Sequence, residues 1–360
     1  MNKRFLIASG GTGGHFYPGL ALGKELQKQG CQVLFIVRKN DPASQVLETH
    51  KLRYKEIDFT GLPRSVNPIR HLRFWGKLFK SLHQTKKIIR NFHPHLAIGT
   101  GGYISFPLIF TAHRMGIKTA IHDSNTRLGL ANKICGRFAD LFMLGLPVEN
   151  APKKSVLTST PIRPEFAESA DRVALLEGLK LDPNKKTILI VGGSQGAKGL
   201  NAAISKTIKS LTDLQFIHIT GERWFGIMRE EYEGAAHIAV LPYSHEIYAL
   251  MKIADLAVCR SGASTLAELL ACRVPAILVP FPHAAADHQY YNAKIFEDAG
   301  CAIIVREDKN LQANLEKALA DIFKKNRGKR LSSMGCAYGK LRIPNPLTAA
   351  QKIADRLRRM

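Results

Sequence analysis

Arg4-Phe-Leu-Ile-Ala-Ser9 runs straight into Gly10-Gly-Thr-Gly-Gly-His15, and the same phrase returns as Lys186-Thr-Ile-Leu-Ile-Val191 followed by Gly192-Gly-Ser-Gln-Gly-Ala197. Each is a short apolar run stopped by glycines and followed by a helical pattern, which reads as buried strand, tight turn, helix. In the first copy Pro18 is expected in the opening turn of a helix that Gly30 closes, and Gln32 to Val37 reads as the next strand. Further strands are expected at His95 to Thr100, Thr119 to His122, Gln215 to Thr220, His237 to Leu241, Leu256 to Cys259 and Ala276 to Val279. Strand alternating with helix, restarting near residue 186, predicts an α/β chain of two doubly wound parallel-sheet domains. The joint is expected within Pro147 to Pro164, where prolines and a polar run interrupt the periodicity. In such sheets ligands sit at the carboxyl ends of the strands, so the crevice between the domains is the expected site.

Composition sets the outer bounds. The 360 residues, 45% of them hydrophobic and 22% charged, suffice for two domains and exclude disorder. Cys31, Cys135, Cys259, Cys272, Cys301 and Cys336 never approach a C-x-x-C spacing, and they read as reduced thiols in a cytosolic protein. The apolar run Phe5 to Ala8 is too short for a signal-peptide core, and no stretch reaches the ~18 apolar residues of a membrane span. The formal charge of +23 calls for an acidic partner: nucleic acid, anionic lipid or a phosphorylated substrate.

The glycine loops narrow that choice. Gly10 to Gly14 let backbone approach a ligand closely, and the following helix adds unsatisfied N–H groups, so phosphate is the natural occupant. A tight turn with no ligand would use the same residues. A dinucleotide fingerprint needs glycine where Phe16 stands and an acidic residue where Arg38 stands, and neither loop is a Walker A sequence. In Ala257-Val-Cys-Arg-Ser-Gly-Ala-Ser-Thr-Leu-Ala-Glu268 a strand enters a helix at Ser261-Gly262. That helix start with the Thr265 hydroxyl suits a pyrophosphate, and Glu268 one turn on suits a ribose diol; local capping by the same two residues is the plainer alternative.

These motifs, with Gly101-Gly-Tyr103, Asn125, Gly129-Leu-Ala-Asn-Lys133, Pro161-Ile-Arg163, Asn201 and Asp287-His-Gln289 with Asn292, follow one another through nearly the whole chain. In that order they resemble the MurG family. Those bacterial transferases move N-acetylglucosamine from UDP onto undecaprenyl-pyrophosphoryl-N-acetylmuramyl pentapeptide, converting lipid I to lipid II. The resemblance implies the GT-B architecture, two Rossmann-like domains facing across a cleft. It gives an acceptor domain over 1–160, a UDP-sugar domain over 161–347, and a last helix over 348–360 that crosses back to the first domain. Carried onto this chain, it places Arg163, Ser194 and Ser244 around the uracil and ribose, Glu268 on the ribose hydroxyls, Thr265 on the phosphates, and Gln289 with Asn292 at the sugar. Thr12, Gly13, Gly14 and Asn125 would meet substrate from the first domain, and Gly11, Gly101, Gly102 and Tyr103 would line acceptor-phosphate loops. The chain departs from the family pattern at Asp123-Ser124, where Glu-Gln is usual, and at Ser159-Thr160, where Gly-Asn is usual.

Attack of an acceptor hydroxyl on an anomeric carbon needs a base, and the departing pyrophosphate needs positive charge. His15 is the first choice as base, with Asp123 the competing one; donation to an acceptor phosphate or a purely structural histidine are the other roles open to His15. No Asp-x-Asp pair occurs, so no tightly bound metal and no cofactor is expected.

Between Asp58 and Asp123 there is no acidic residue, while Arg64, Arg70, Arg73, Lys77, Lys80, Lys86, Lys87 and Arg90 accumulate. At helical spacing Leu72, Trp75, Leu78, Phe79, Leu82 and Ile89 share one arc, with Arg70, Arg73, Lys77 and Lys80 opposite and Phe74 off both. Two readings fit: an ordinary helix packed on a sheet, or a membrane contact in which Phe74, Trp75, Leu78 and Phe79 enter the headgroup boundary while Arg73, Lys77 and Lys80 meet anionic lipid. The second suits a polyprenyl substrate and a peripheral enzyme on the cytoplasmic face of the bacterial plasma membrane. Another GT-B transferase acting on a lipid acceptor is the alternative enzyme. A nucleic-acid-binding protein is disfavoured because the basic residues lie beside an apolar helix rather than an aromatic-studded sheet.

Overall fold

The computed structural model describes residues 3–11, 13–63, 67–193, 196–324 and 329–360. The chain divides into two units, the first made of Met1–Arg163 and Ile343–Met360, the second of Pro164–Arg342. Each is an α/β unit built on one all-parallel sheet, as the repeated strand-glycine-helix phrase predicts.

The first sheet contains β1 (Arg4–Ala8), β2 (Gln32–Arg38), β3 (Tyr54–Ile57), β4 (Leu96–Gly99), β5 (Lys118–Asp123), β6 (Leu141–Leu144) and β7 (Ser155–Leu157) in the order β3-β2-β1-β4-β5-β6-β7. Both faces of its central strands are covered, which is why β1 and β2 are near-continuous apolar runs rather than alternating ones. Phe5, Ile7, Val33 and Phe35 pack to one side with Leu20 and Leu22, while Leu6, Ala8, Leu34 and Ile36 pack to the other with Leu108 and Ile109. The helix Gly13–Lys28 starts five residues before the expected point, with Pro18 inside it. Just ahead of it the Gly11 N–H is bonded to the Asp41 carboxylate at 2.9 Å.

The last helix, Ala349–Arg359, lies in this same unit and buries Ile353, Ala354 and Leu357 in the core that also holds Leu22 and Leu26. Gln29 bonds both Asp355 and Arg358 beside it, each at 3.1 Å.

The stretch expected as a linker carries β7, an edge strand with all three residues half-buried. Its polar flanks, Lys153-Lys154 and Thr158-Ser159, hide a strand from pattern reading because an edge needs only one partner. Just beyond it Ser159 is 1% exposed and holds a left-handed φ of 66°. The left-handed region penalises a residue with a Cβ, so Ser159→Gly is expected to raise stability by about 1 kcal/mol. An increased denaturant midpoint at unchanged slope is the measurement; a midpoint that falls would show the buried hydroxyl to be worth more than the strain.

The second sheet contains β8 (Thr187–Val191), β9 (Gln215–Ile219), β10 (Ile238–Leu241), β11 (Leu256–Cys259), β12 (Ala276–Leu278) and β13 (Ala302–Ile304) in the order β10-β9-β8-β11-β12-β13. Its core packs Ile188, Ile190, Phe216 and Val258 with Leu200 and Ile204 of the helix Lys198–Ile208 and Leu315 and Leu319 of the helix Leu311–Phe323.

Candidate functional site

Both sheets reverse their winding at one place, between β1 and β4 in the first and between β8 and β11 in the second. Loops leaving such a pair diverge to opposite faces and open a crevice at the strands' carboxyl ends. The loops at these two points carry the motifs: residues 10–14 and 101–103 in the first unit, 192–196 and 260–262 in the second.

In the first unit His15 is half-buried in the opening turn of Gly13–Lys28, and its carbonyl accepts hydrogen bonds from Thr100 Oγ1 at 2.9 Å and Ser9 Oγ at 3.2 Å. The imidazole lies on the neighbouring loop: a Cβ on Gly101 would stand 2.3 Å from His15 Nδ1, and one on Gly102 would stand 3.5 Å from its Cδ2. Gly101 also has φ 106°, so the loop after β4 needs glycine there both for backbone shape and for the ring above it. Ser105 closes this loop, its hydroxyl donating to the Gly101 carbonyl at 2.9 Å. Tyr103 accepts from Arg38 at 3.1 Å. Arg163 stands over the ring of Tyr17, 5.6 Å from its centroid.

Asp123, expected as a rival base, is committed elsewhere. It is 1% exposed; Oδ1 accepts from the Asn125 N–H at 3.0 Å, and Oδ2 accepts from Asn132 Nδ2 at 2.9 Å and the Gly129 N–H at 3.2 Å. A carboxylate so supplied with donors ties together the 123–132 segment. Beside it His122 is fully buried with Nε2 3.1 Å from the Ser159 carbonyl. Burial chiefly holds its pKa below the ordinary imidazole value, against smaller upward pulls from the Ser159 carbonyl and the Asp123 charge, so it stays neutral and donates through Nε2.

In the second unit the helix Ala263–Cys272 starts from Gly262 with no side chain capping its first turn. Thr265 and Glu268, three residues apart and both half-buried, share one face of it. The uncapped N–H groups supply partial positive charge for a pyrophosphate. Gln289 Oε1 accepts from the Phe281 N–H at 3.0 Å. Asn292, expected at the donor sugar, is 0% exposed and donates to the Ser261 carbonyl at 3.4 Å, just ahead of the helix start. The turn ahead of Gln289 holds two consecutive left-handed residues, Ala286 (φ 53°) and Asp287 (φ 52°), the kind of backbone strain that clusters at ligand sites. Ser244 Oγ accepts from the Glu246 N–H at 3.1 Å. Thr12 and Ser194 lie outside the described residues.

A buried chain of hydrogen bonds, invisible to motif reading, supports the second unit's first glycine loop. Asn201 Nδ2 donates to the Thr220 carbonyl at 2.9 Å, which obliges its Oδ1 to accept from His218 Nε2 at 3.2 Å, and His218 Nδ1 then accepts from the Tyr232 hydroxyl at 2.8 Å. Burial holds His218 neutral by pushing its pKa down to about 3. A Cβ on Gly196 would fall 2.2 Å from that Thr220 carbonyl, so the chain fixes the wall against which the loop turns.

The basic helix spans Pro68–Phe92 and begins on Asn67, whose side chain accepts from the Ile69 N–H at 2.9 Å. Its expected single arc divides. Leu78, Ser81, Thr85, Ile89 and Phe92 are buried, whereas Leu72, Trp75 and Phe79 stay 74%, 52% and 68% exposed. Leu78, expected at a membrane, is therefore a core residue, and Phe74 is half-buried with its ring 5.9 Å from that of Phe59. Phe74 and Leu78 lie against the core of the first unit, which leaves the apolar side chains of Leu72, Trp75 and Phe79 exposed on the same helix. Arg73 is exposed, and Lys77 and Lys80 share Asp58 at 3.2 and 3.8 Å. No helix among the described residues is long and apolar enough to cross a membrane.

Comparison with known proteins adds independent evidence. Residues 5–143 match the model of the glycosyltransferase family 28 N-terminal domain, and residues 187–340 match that of the family 28 C-terminal domain. A curated UDP-N-acetylglucosamine–N-acetylmuramyl-(pentapeptide) pyrophosphoryl-undecaprenol N-acetylglucosamine transferase of Elusimicrobium minutum is 51% identical over 357 residues, covering 98% of each chain. One of the same description from Syntrophus aciditrophicus is 38% identical over 85% of this chain and 86% of its own. Among solved structures, Acinetobacter baumannii MurG superposes with a TM-score of 0.81 at 27% identity, over 99% of this chain and all of that one.

Proposed function

The chain belongs to glycosyltransferase family 28, and from that premise we propose that it moves N-acetylglucosamine from UDP-N-acetylglucosamine to the muramyl 4-hydroxyl of lipid I, giving lipid II. The observation that carries this reading is the 51% identity that runs through 98% of both chains, so that both switch-point sites are included in it.

In the proposed reaction the acceptor oxygen attacks the anomeric carbon while the bond to the UDP oxygen breaks on the opposite face, inverting that centre. His15 takes the hydroxyl proton. The uncapped start of Ala263–Cys272 and the Thr265 hydroxyl hold the pyrophosphate as its charge grows, Glu268 accepts from the ribose hydroxyls, and Gln289 reaches the sugar. Gly11, Gly101, Gly102 and Tyr103 line the acceptor-phosphate loops, with Gly13, Gly14 and Asn125 beside the substrate. The assay pairs the protein with UDP-N-acetylglucosamine and a short-chain lipid I analogue, alongside other UDP-sugars. Transfer confined to N-acetylglucosamine supports the reading; an active, folded protein that transfers none overturns it.

The exposed Leu72, Trp75 and Phe79, with Arg73, Lys77 and Lys80 on the same helix, support peripheral contact with an anionic membrane on the face where nucleotide sugars are held, the cytoplasmic one. Co-sedimentation with anionic vesicles is expected to weaken as salt rises and to fall at least about tenfold in a Trp75→Ser/Phe79→Ser variant, each ring carrying ~1.5–3 kcal/mol of burial. Equal binding to neutral vesicles would refute the electrostatic part.

A further inference from the structure

Arg38 closes β2 immediately beside the first switch point, where the dinucleotide fingerprint would have an acidic residue. Its Nη1 donates to the Tyr103 hydroxyl at 3.1 Å, and its Nε lies 3.9 Å from Asp41 Oδ2. That same Asp41 oxygen accepts the Gly11 N–H at 2.9 Å, and Oδ1 accepts the Ala43 N–H at 3.1 Å. Asp41 is thus a buried carboxylate, its side chain 2% exposed, built into the underside of a glycine loop, while the Arg38 side chain is 37% exposed.

This arrangement poses an electrostatic problem. A fixed carboxylate under the loop repels any phosphate that approaches from above, and the Gly11 N–H it occupies is withdrawn from phosphate binding. The guanidinium answers both points. It neutralises Asp41, and its planar fork of five N–H donors can hold two partners and still offer donors outward, which an ammonium on a flexible stem does far less well. Through Tyr103 it also reaches the loop that carries Gly101 and Gly102 against His15.

We propose that Arg38 is a diphosphate-binding residue of the first unit, anchored by Asp41 and Tyr103 and directing its outward N–H groups to the diphosphate of a polyprenyl acceptor. The proposal rests on reading this unit as the acceptor side, and its test does not depend on sugar transfer. Binding of farnesyl diphosphate to the full chain is measured by calorimetry, with UDP binding as the reference for an intact second unit. Arg38→Ala is expected to weaken farnesyl diphosphate about tenfold or more and leave UDP within twofold, with Arg38→Lys between wild type and Arg38→Ala. Farnesyl diphosphate affinity unchanged in Arg38→Ala, a wild type that does not bind it, or equal losses for both ligands would overturn the assignment. A protein that shows the Arg38-dependent binding yet transfers no N-acetylglucosamine would keep this proposal and lose the transferase reading.

Discussion

Replacing His15 by alanine is expected to lower kcat about 100-fold or more while leaving KM for the nucleotide sugar nearly unchanged. The residue sits at the start of a helix on the carboxyl side of β1, its ring fixed against Gly101 and Gly102 and its carbonyl held by Ser9 and Thr100. Its competitor Asp123 is buried and accepts hydrogen bonds from Asn125, Gly129 and Asn132, whereas His15 is only half-buried. Steady-state kinetics with separate variation of the two substrates separates the roles. A loss confined to KM of the acceptor, with kcat retained, would make His15 a phosphate-binding group and send the search for the base elsewhere.

The second large effect comes from a position with no side chain at all. In Gly101→Ala the new methyl would stand 2.3 Å from His15 Nδ1 and 2.8 Å from its Cε1, on a backbone with φ 106°. Ring and loop cannot both keep their places. The expected result is a fall in kcat of about 100-fold, matching loss of the imidazole, together with roughly 1–3 kcal/mol of destabilisation from the strained backbone. Gly76→Ala is the control, since a Cβ there meets nothing within 4 Å. Because the alanine acts through His15, adding it to His15→Ala is expected to cause little further loss of turnover, whereas full additivity would show two independent defects.

The strands legible in the sequence are those buried on both faces, such as β1 and β8, where an apolar run ends on glycine. Those that escape reading have less to show. β3 (Tyr54–Ile57) contains Lys55 and Glu56 because an edge strand need bury little, β13 is three residues long, and β6 (Leu141–Leu144) is an apolar run too short to distinguish from a turn of buried helix. The candidate site divides similarly. His15, Gly101, Thr265 and Glu268 announce themselves because glycine clusters and helix starts mark where ligands approach. Asp41, Arg38, His122 and His218 do not, since each works by reaching a residue on another strand or loop, and strand order is not written locally. Leu78 shows the reverse error: spacing puts it at a membrane surface, and packing turns it inward.

The closing helix has a bearing on biosynthesis. Because 343–360 complete the core begun by the first 163 residues, the unit Pro164–Arg342 is an insert in a body that stays open until residues 343–360 have left the ribosome. The insert is synthesised whole before that happens and is free to fold first, whereas Leu22 and Leu26 wait for Ile353, Ala354 and Leu357. Loss of the helix Ala349–Arg359 would therefore injure the unit begun by residues 1–163, whose quality is read out only once that helix has been translated.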